Sequence, residues 1–342
     1  MELLQINDLK RLAIAAAKKA PITYGKETFN AESVDKVLRG QFELLAPDYK
    51  SFRRNENTIF ELIEESIDEV LPKRVMQQYE QFADVRTIAQ GDQAVFRQSI
   101  TEAARKRAKT FVTRVGLAGR YETFMLDGAE LTVQTGAIGA ACRIGFEEFL
   151  DGRIQFADLT SIILEGMDEY IYAEIAKALK KAVEALPEKN RVTGASFEES
   201  KMDTLLAISD AYYGGNSSIY CTREFAATML PAQAMMSDAM KSTLWDKGML
   251  GNYKGHNIIV LEQSFTDATN SEKVIDPADA YIMPSGVEKP VKIVFEGETA
   301  VRTVEDNDDW SRDLQTYKKI GVGVMTNPAI CHYVNTSLKK SL

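Results

Sequence analysis

One stretch limits the architecture more than any other. Residues 156–187, FADLTSIILEGMDEYIYAEIAKALKKAVEALP, carry an unbroken helical pattern. Leu159, Ile162, Ile163, Met167, Tyr170, Ile171, Ile175, Leu179, Ala182 and Leu186 recur at spacings of three, four and seven, which puts them on one stripe. Acidic residues lead and Lys177, Lys180 and Lys181 trail, as the helix dipole favours. Asp158 is the predicted N-cap and Pro187 the stop. At 1.5 Å per residue the helix extends roughly 40 Å. That is long for an ordinary α+β domain, so the helix must act as a backbone along which other elements are arranged.

Composition narrows the function. The chain of 342 residues has 41 basic and 50 acidic side chains, a formal charge of -9. A protein that grips nucleic acid by its phosphates shows the opposite balance. No run approaches the roughly 20 apolar residues that span a bilayer, so no membrane partner is expected. The N-terminus, MELLQINDLKRLAIAAAKKAP, lacks the charged start and apolar core of a signal peptide. It predicts an amphipathic helix carrying Leu3, Ile6, Leu9 and Leu12. Cys142, Cys221 and Cys331 are odd in number and far apart, which suits free thiols in a reducing compartment. Synthesis in a cytoplasm is expected, and there the N-x-S/T sequons at Asn216 and Asn335 carry no meaning.

Before the long helix the chain predicts helical pieces. Asn30 can cap a helix with Val34, Val37 and Leu38, and Thr58 one with Ile59, Leu62, Ile63, Ile67, Val70 and Leu71, stopped by Pro72. These pieces read as small, separated helices of an arm that packs on something else. From Ala94 to Gly139 the chain turns basic: Arg97, Arg105, Lys106, Arg107, Lys109, Arg114 and Arg120, with Glu102 and Glu122 nearby. The runs YETFML and AELTV flank Asp127-Gly128, a pair suited to a two-residue hairpin turn. A hairpin with so little apolar surface is marginal alone and needs a neighbour.

After the long helix come SKMDTLLAISDAYYGG, a helix with Met202, Leu205, Leu206, Ile208 and Tyr212 inward, and the buried strand SSIYC. TREFAATML predicts a helix opened by Thr222, and HNIIVL and AYIMPSG predict strands. VKIVFEGETAV and VRTVEDNDDW alternate in the manner of a half-buried sheet around an acidic tip at 305–309. YKKIGVGVMTNPAICHYV follows as a strand interrupted at Pro328.

Taken in order, these blocks resemble the major capsid proteins of tailed bacteriophages, whose shared α+β architecture is the HK97 fold. The resemblance rests on AELTVQTGAIGAACRIGFEEFLDG leading into the long helix, and on DTLLAISDAYYGGNSSIYCTREFAATML followed by NYKGHNIIVLEQSF. It implies an N-terminal arm (1–93), an extended E-loop hairpin (94–139) and a P-domain with its spine helix (140–195). An A-domain (196–288), a P-domain hairpin (289–319) and a return to the A-domain (320–342) follow. It further implies a non-enzymatic shell subunit of the virion, assembled in the host bacterial cytoplasm as pentamers and hexamers. The implied partners are further copies of itself, a separate scaffolding protein, a portal, and packaged double-stranded DNA held weakly without sequence specificity. No cofactor is expected. Arg97, Arg105, Lys106, Arg107, Lys109, Arg114, Arg120, Asp127 and Gly128 become candidate inter-subunit contacts. An encapsulin-type compartment shell and a soluble α+β enzyme or ligand-binding protein remain as alternatives.

Residues that often carry chemistry have structural readings here. His256 and His332 are the two histidines; Cys331 and His332, adjacent in a strand, point to opposite faces and cannot share one zinc. Gly321-Val322-Gly323 lacks the third glycine and helix of a dinucleotide motif, and packing explains it better. Glu305, Asp306, Asp308 and Asp309 lack the turn glycine of a calcium loop and read as a solvated tip. Lys106 or Lys109 with Asn327 are residues of the type that some relatives join by an isopeptide bond.

Overall fold

The computed structural model describes residues 4–18, 21–24, 27–97, 130–144, 156–213, 217–230, 236–265, 269, 271–284, 289–304, 312–326 and 329–340. Among them the helices are α1 (Ile6–Ala17), α2 (Ala31–Leu45), α3 (Tyr49–Tyr79), α4 (Phe156–Glu184), α5 (Glu199–Tyr213), α6 (Arg223–Ala226) and α7 (Asp238–Lys247). Two sheets organise the rest. A four-stranded sheet has the order β3 (Ala83–Ile88), β12 (Val291–Val304), β13 (Arg312–Val324), β6 (Gly136–Ile144). A six-stranded mixed sheet has the order β7 (Arg191–Gly194), β14 (Cys331–Asn335), β11 (Asp279–Pro284), β8 (Ser217–Cys221), β10 (His256–Val260), β9 (Asn252–Tyr253). Two small antiparallel pairs complete it: β1 (Ile22–Tyr24) with β2 (Glu27–Phe29), and β4 (Ala94–Arg97) with β5 (Glu130–Val133).

The long helix is present as α4, 29 residues from Phe156, with Pro187 just beyond its end. Ile163, Met167, Ile171, Ile175, Leu179, Ala182 and Leu186 of the predicted stripe are buried, and the face differs along one edge. Leu164, Asp168 and Tyr172 are inside, whereas Ile162 and Tyr170 are 67% and 46% exposed. The helix packs on the four-stranded sheet along one side and on α1 and α3 along another, so the true face is set by two neighbours and not by hydrophobicity alone. Asp158 lies inside the first turn and is not the cap.

The N-terminal helices depart most from expectation. α3 spans 31 residues, starts at Asp48, whose carboxylate accepts from Ser51 N at 2.7 Å, and runs through both Thr58 and Pro72. Proline removes the N–H that would reach the Asp68 carbonyl, yet Leu71, Val75 and Tyr79 are buried, and their packing outweighs one lost bond. Asn30 does precede α2, but its side chain caps nothing. These helices are neither small nor separated: Leu9, Leu12, Val34, Leu38, Leu62 and Ile67 share one core with Ile163, Ile171 and Ile175 of α4 and with Ile293 and Phe295 of β12. Ile6, expected inside, is 49% exposed.

On the far side of that core, strand alternation divides the six-stranded sheet between two layers. Ile219, Cys221, Ala280, Ile282, Cys331 and Tyr333 face α5 and form a second core. Tyr220, Tyr281 and Met283 face the first. Within the first core an aromatic ladder runs from α4 to the six-stranded sheet: Tyr172 stacks on Tyr79 (5.8 Å), Tyr79 meets Phe82 edge-on (5.8 Å), and Phe82 meets Tyr220 edge-on (5.6 Å). The Asp168 carboxylate lies against this ladder, 3.5 Å from the Tyr79 hydroxyl and 3.4 Å from Arg74 Nε; burial raises its pKa.

Strand borders differ from the expected divisions at three points. β7 belongs to the six-stranded sheet through its pairing with β14, so the change of layer falls before residue 195. β13 stays in the four-stranded sheet to Val324, past the division at 320, held by continuous pairing with β12. β6 is also a strand of that sheet, paired with β13 from Gly136 to Ile144, so the two-stranded pair on either side of residues 98–129 ends at Val133 and not at Gly139.

Candidate assembly surface

Residues 98–129 lie outside the described residues; the chain on either side of them forms a two-stranded root, β4 with β5. Ala94, Phe96 and Val133 are buried there with Val294 of β12, on the face of the four-stranded sheet opposite the helices. Arg86 stands over the Phe96 ring at 4.4 Å and Lys292 at 5.3 Å, and both cations reach Asp84 at 3.2 Å. Gly321 and Gly323 explain the G-x-G fragment. A Cβ at Gly321 would sit 2.6 Å from Gln134 O and 2.9 Å from Val133 Cγ1; one at Gly323 would sit 2.9 Å from Val133 Cγ2. Their lack of side chains lets β5 lie directly on β13, the packing role expected for them.

Glu296, which the sequence reading did not single out, ties the root down. Its carboxylate accepts hydrogen bonds from the Thr135 hydroxyl, from Lys319 Nζ at 2.9 Å and from Gly91 N at 2.9 Å. Gly91 precedes β4 and Thr135 follows β5, so one side chain holds both feet of the excursion. Those hydrogen bonds, Thr135 first, hold the Glu296 carboxyl down at about 2. The sequence signal was available: Glu296 is an acid inside the apolar run VKIVFE.

Arg97 is the one candidate contact residue within the described region. It pairs with Glu130 at 2.8 Å across the root, and both side chains are exposed. Arg105, Lys106, Arg107, Lys109, Arg114, Arg120, Asp127 and Gly128 lie outside the described residues. So do the acidic tip at 305–309 and Asn327, while β12 and β13 pair antiparallel up to Val304 and Asp313 on either side of the tip.

A second polar network joins the helices to the distal part of β12. Lys318, 2% exposed, pairs with Asp68, which also accepts from Thr299 N at 3.0 Å and from Thr299 Oγ1 at 2.6 Å. Glu64 accepts from Val301 N at 2.7 Å, and burial raises its pKa.

The histidines sit in structural surroundings. His256 Nδ1 is 3.0 Å from Ser217 Oγ, and His256 Nε2 is 3.3 Å from Asp210. These are the residue types of a hydrolytic triad, but the Ser217 hydroxyl is buried and within 3.1 Å of the same Asp210 carboxylate, closing a ring with no nucleophile directed outward. His332 faces Asp279 at 3.2 Å against the Tyr281 ring. Cys221 and Cys331 are free and buried, and burial pushes both thiols up to about 12. Among the described residues no helix is long and apolar enough to cross a membrane.

The comparisons with known proteins agree with this architecture. The family described as "SPbeta prophage-derived putative capsid protein YonB" matches residues 13–334. No curated protein matches the chain. Among solved structures, the capsid of a native GTA particle is 13% identical with a TM-score of 0.51, covering 75% of this chain and 89% of that one. The capsid of cyanophage P-SCSP1u is 11% identical with a TM-score of 0.50, covering 75% and 87%. The encapsulin SrpI complex of Synechococcus elongatus is 10% identical with a TM-score of 0.43, covering 78% and 89%. The first two likenesses show that the chain has the α+β HK97-like capsid fold.

Proposed function

The chain belongs to the YonB family of prophage-derived capsid proteins, and from that premise we propose that it is the repeating shell subunit of a phage particle. The family match across residues 13–334 carries the proposal, because it covers both cores and both sheets.

In this reading the six-stranded sheet with α5 is the A-domain and gathers around the symmetry axes of pentamers and hexamers. The four-stranded sheet with α4 is the P-domain, and the excursion rooted at Ala94–Arg97 and Glu130–Val133 is the E-loop reaching over an adjacent subunit. The helices of the first ninety residues belong to the body of the subunit, since their apolar faces are already filled. A separate scaffolding protein and a portal complete assembly, and double-stranded DNA fills the shell. Individual contacts of a few kcal/mol suffice, because each is repeated and becomes effectively intramolecular once the shell closes.

The charge of -9 supports a container better than a DNA-gripping protein. Affinity for phosphates grows with every Lys or Arg engaged, so an acidic balance keeps a packaged genome mobile. The basic excursion is then directed at carboxylates of neighbouring subunits.

Electron micrographs of the purified chain, alone and coexpressed with its neighbouring prophage genes, test the proposal. Closed, uniform shells are expected. A monomer that stays solitary at high concentration in both settings overturns it. Shells that form from the chain alone and enclose a protein cargo in place of DNA point to an encapsulin-type compartment.

A further inference from the structure

Both histidines of the chain lie buried in the six-stranded sheet beside an aspartate, His256 on β10 next to Asp210 and His332 on β14 next to Asp279. Around His256 every donor and acceptor can be counted. Its Nε2 stands 3.3 Å from Asp210 Oδ2, a carboxylate oxygen that only accepts. Its Nδ1 stands 3.0 Å from Ser217 Oγ and 3.2 Å from the Ser217 carbonyl oxygen, which also only accepts. The hydroxyl can serve either way, but it donates its proton to Asp210 Oδ1 at 3.1 Å, so towards the ring it too accepts.

Both sides of the ring therefore call for a proton. A neutral imidazole has one N–H and leaves the other nitrogen's lone pair facing an oxygen; the imidazolium has two and satisfies both sides. Turning the Ser217 hydroxyl towards Nδ1 does not restore the balance. It takes the proton from Asp210 and still leaves the Ser217 carbonyl facing a lone pair.

We propose that His256 is a proton-operated latch. With two protons it ties the last turn of α5, through Asp210, to the first residues of β8 and β10, and losing one proton frees the end of α5 from these strands. The other charges nearby do not compete. Glu199 and Asp203 share a face of α5 with Asp210, but Lys254, in the turn before β10, holds them at 2.5 and 2.6 Å. Tyr253 is the β9 partner of His256; burial first of all pushes its hydroxyl up to about 12, so it stays neutral. Burial does the same to Tyr220 and Cys221, the titratable side chains of β8. His332 is remote, with β11 and β8 between its strand and β10. The latch holds on the acid side of the ring's titration and is lost as pH rises through it. It belongs to the single subunit and does not rest on the shell reading.

A double-mutant cycle of His256→Gln and Asp210→Asn in the full chain tests it, by urea unfolding from about pH 5 to about pH 8, where histidines change charge. The coupling between the two side chains should be present at the acid end and fall several-fold towards the alkaline end. A coupling equal at both ends, as a neutral hydrogen bond gives, or absent at both, overturns the latch. A second measurement leaves residue 256 in place. In the chain labelled with isotopic nitrogen at histidine, with His332→Gln to assign the two rings, His256 should carry a proton on each nitrogen at the acid end. A His256 ring that keeps a single N–H across the whole range overturns the proposal even where a variant of the cycle fails to fold.

Discussion

The Glu296 carboxylate accepts a hydrogen bond from the Thr135 hydroxyl, joining residues 161 positions apart. Because the same carboxylate holds Gly91 N and Lys319 Nζ, the strand β12 anchors both ends of the β4–β5 pair. Glu296→Gln should keep the fold but loosen this root. Amide exchange at residues 91–97 and 130–135 should accelerate, while exchange in α5 stays unchanged; equal rates in both variants would contradict the clamp.

Acid should act through the same group. Its carboxyl is held at about 2, below the ordinary 4.5, so its stabilisation is fully present above pH 4.5. It is lost as pH falls from 4.5 towards 2. The stability gap between the unmodified chain and Glu296→Gln should therefore narrow across that window, as followed by urea unfolding at stepped pH. A gap that is constant with pH would refute the assignment.

The Lys318–Asp68 pair makes an asymmetric prediction. Asp68→Ala strands a buried ammonium and leaves Thr299 N without its acceptor, at a cost of about 3–5 kcal/mol. Lys318→Met removes the charge that needs a partner, and Asp68 keeps its bonds from Thr299, so the loss should be clearly smaller. Chemical denaturation of both variants checks the order.

Two glycines test the packing of the root. Gly321→Ala drives a methyl group into Gln134 O and Val133 and should cost about 1–3 kcal/mol. Gly136→Ala meets nothing within 4 Å and should stay within about 0.5 kcal/mol of the unmodified chain. Thermal melts of the two side by side decide it.

Reversal of Arg105, Lys106 and Arg107 to Glu should abolish particle formation while the free subunit still unfolds cooperatively at its usual temperature. Normal particles from the triple variant, seen by electron microscopy, would show that the basic excursion does not bind neighbouring carboxylates.

Much of this was legible from residue pattern. The long helix, the strands Ser217–Cys221 and His256–Val260, the cap at Thr222 and the β12–β13 hairpin follow from period and punctuation, which act locally. What escaped depends on distant partners. Pro72 read as a stop because the cores that bury Leu71 and Val75 are supplied by other segments. One edge of the inner face of α4, at Ile162 and Tyr170, was misplaced, because α3 and the sheet share that face between them. Glu296 was missed because its two most informative partners, Gly91 and Thr135, are remote in sequence and carry no motif.

The carboxylates of Glu64 and Asp68 have one more effect. β3 accompanies β12 only as far as Glu296; beyond it, the amides of Thr299 and Val301 point away from the sheet and are taken by these two side chains. A strand border whose donors are already satisfied cannot recruit a stranger's backbone. That closes the stretch of β12 from Thr299 to Val301, which β3 does not reach, to pairing with the backbone of another chain.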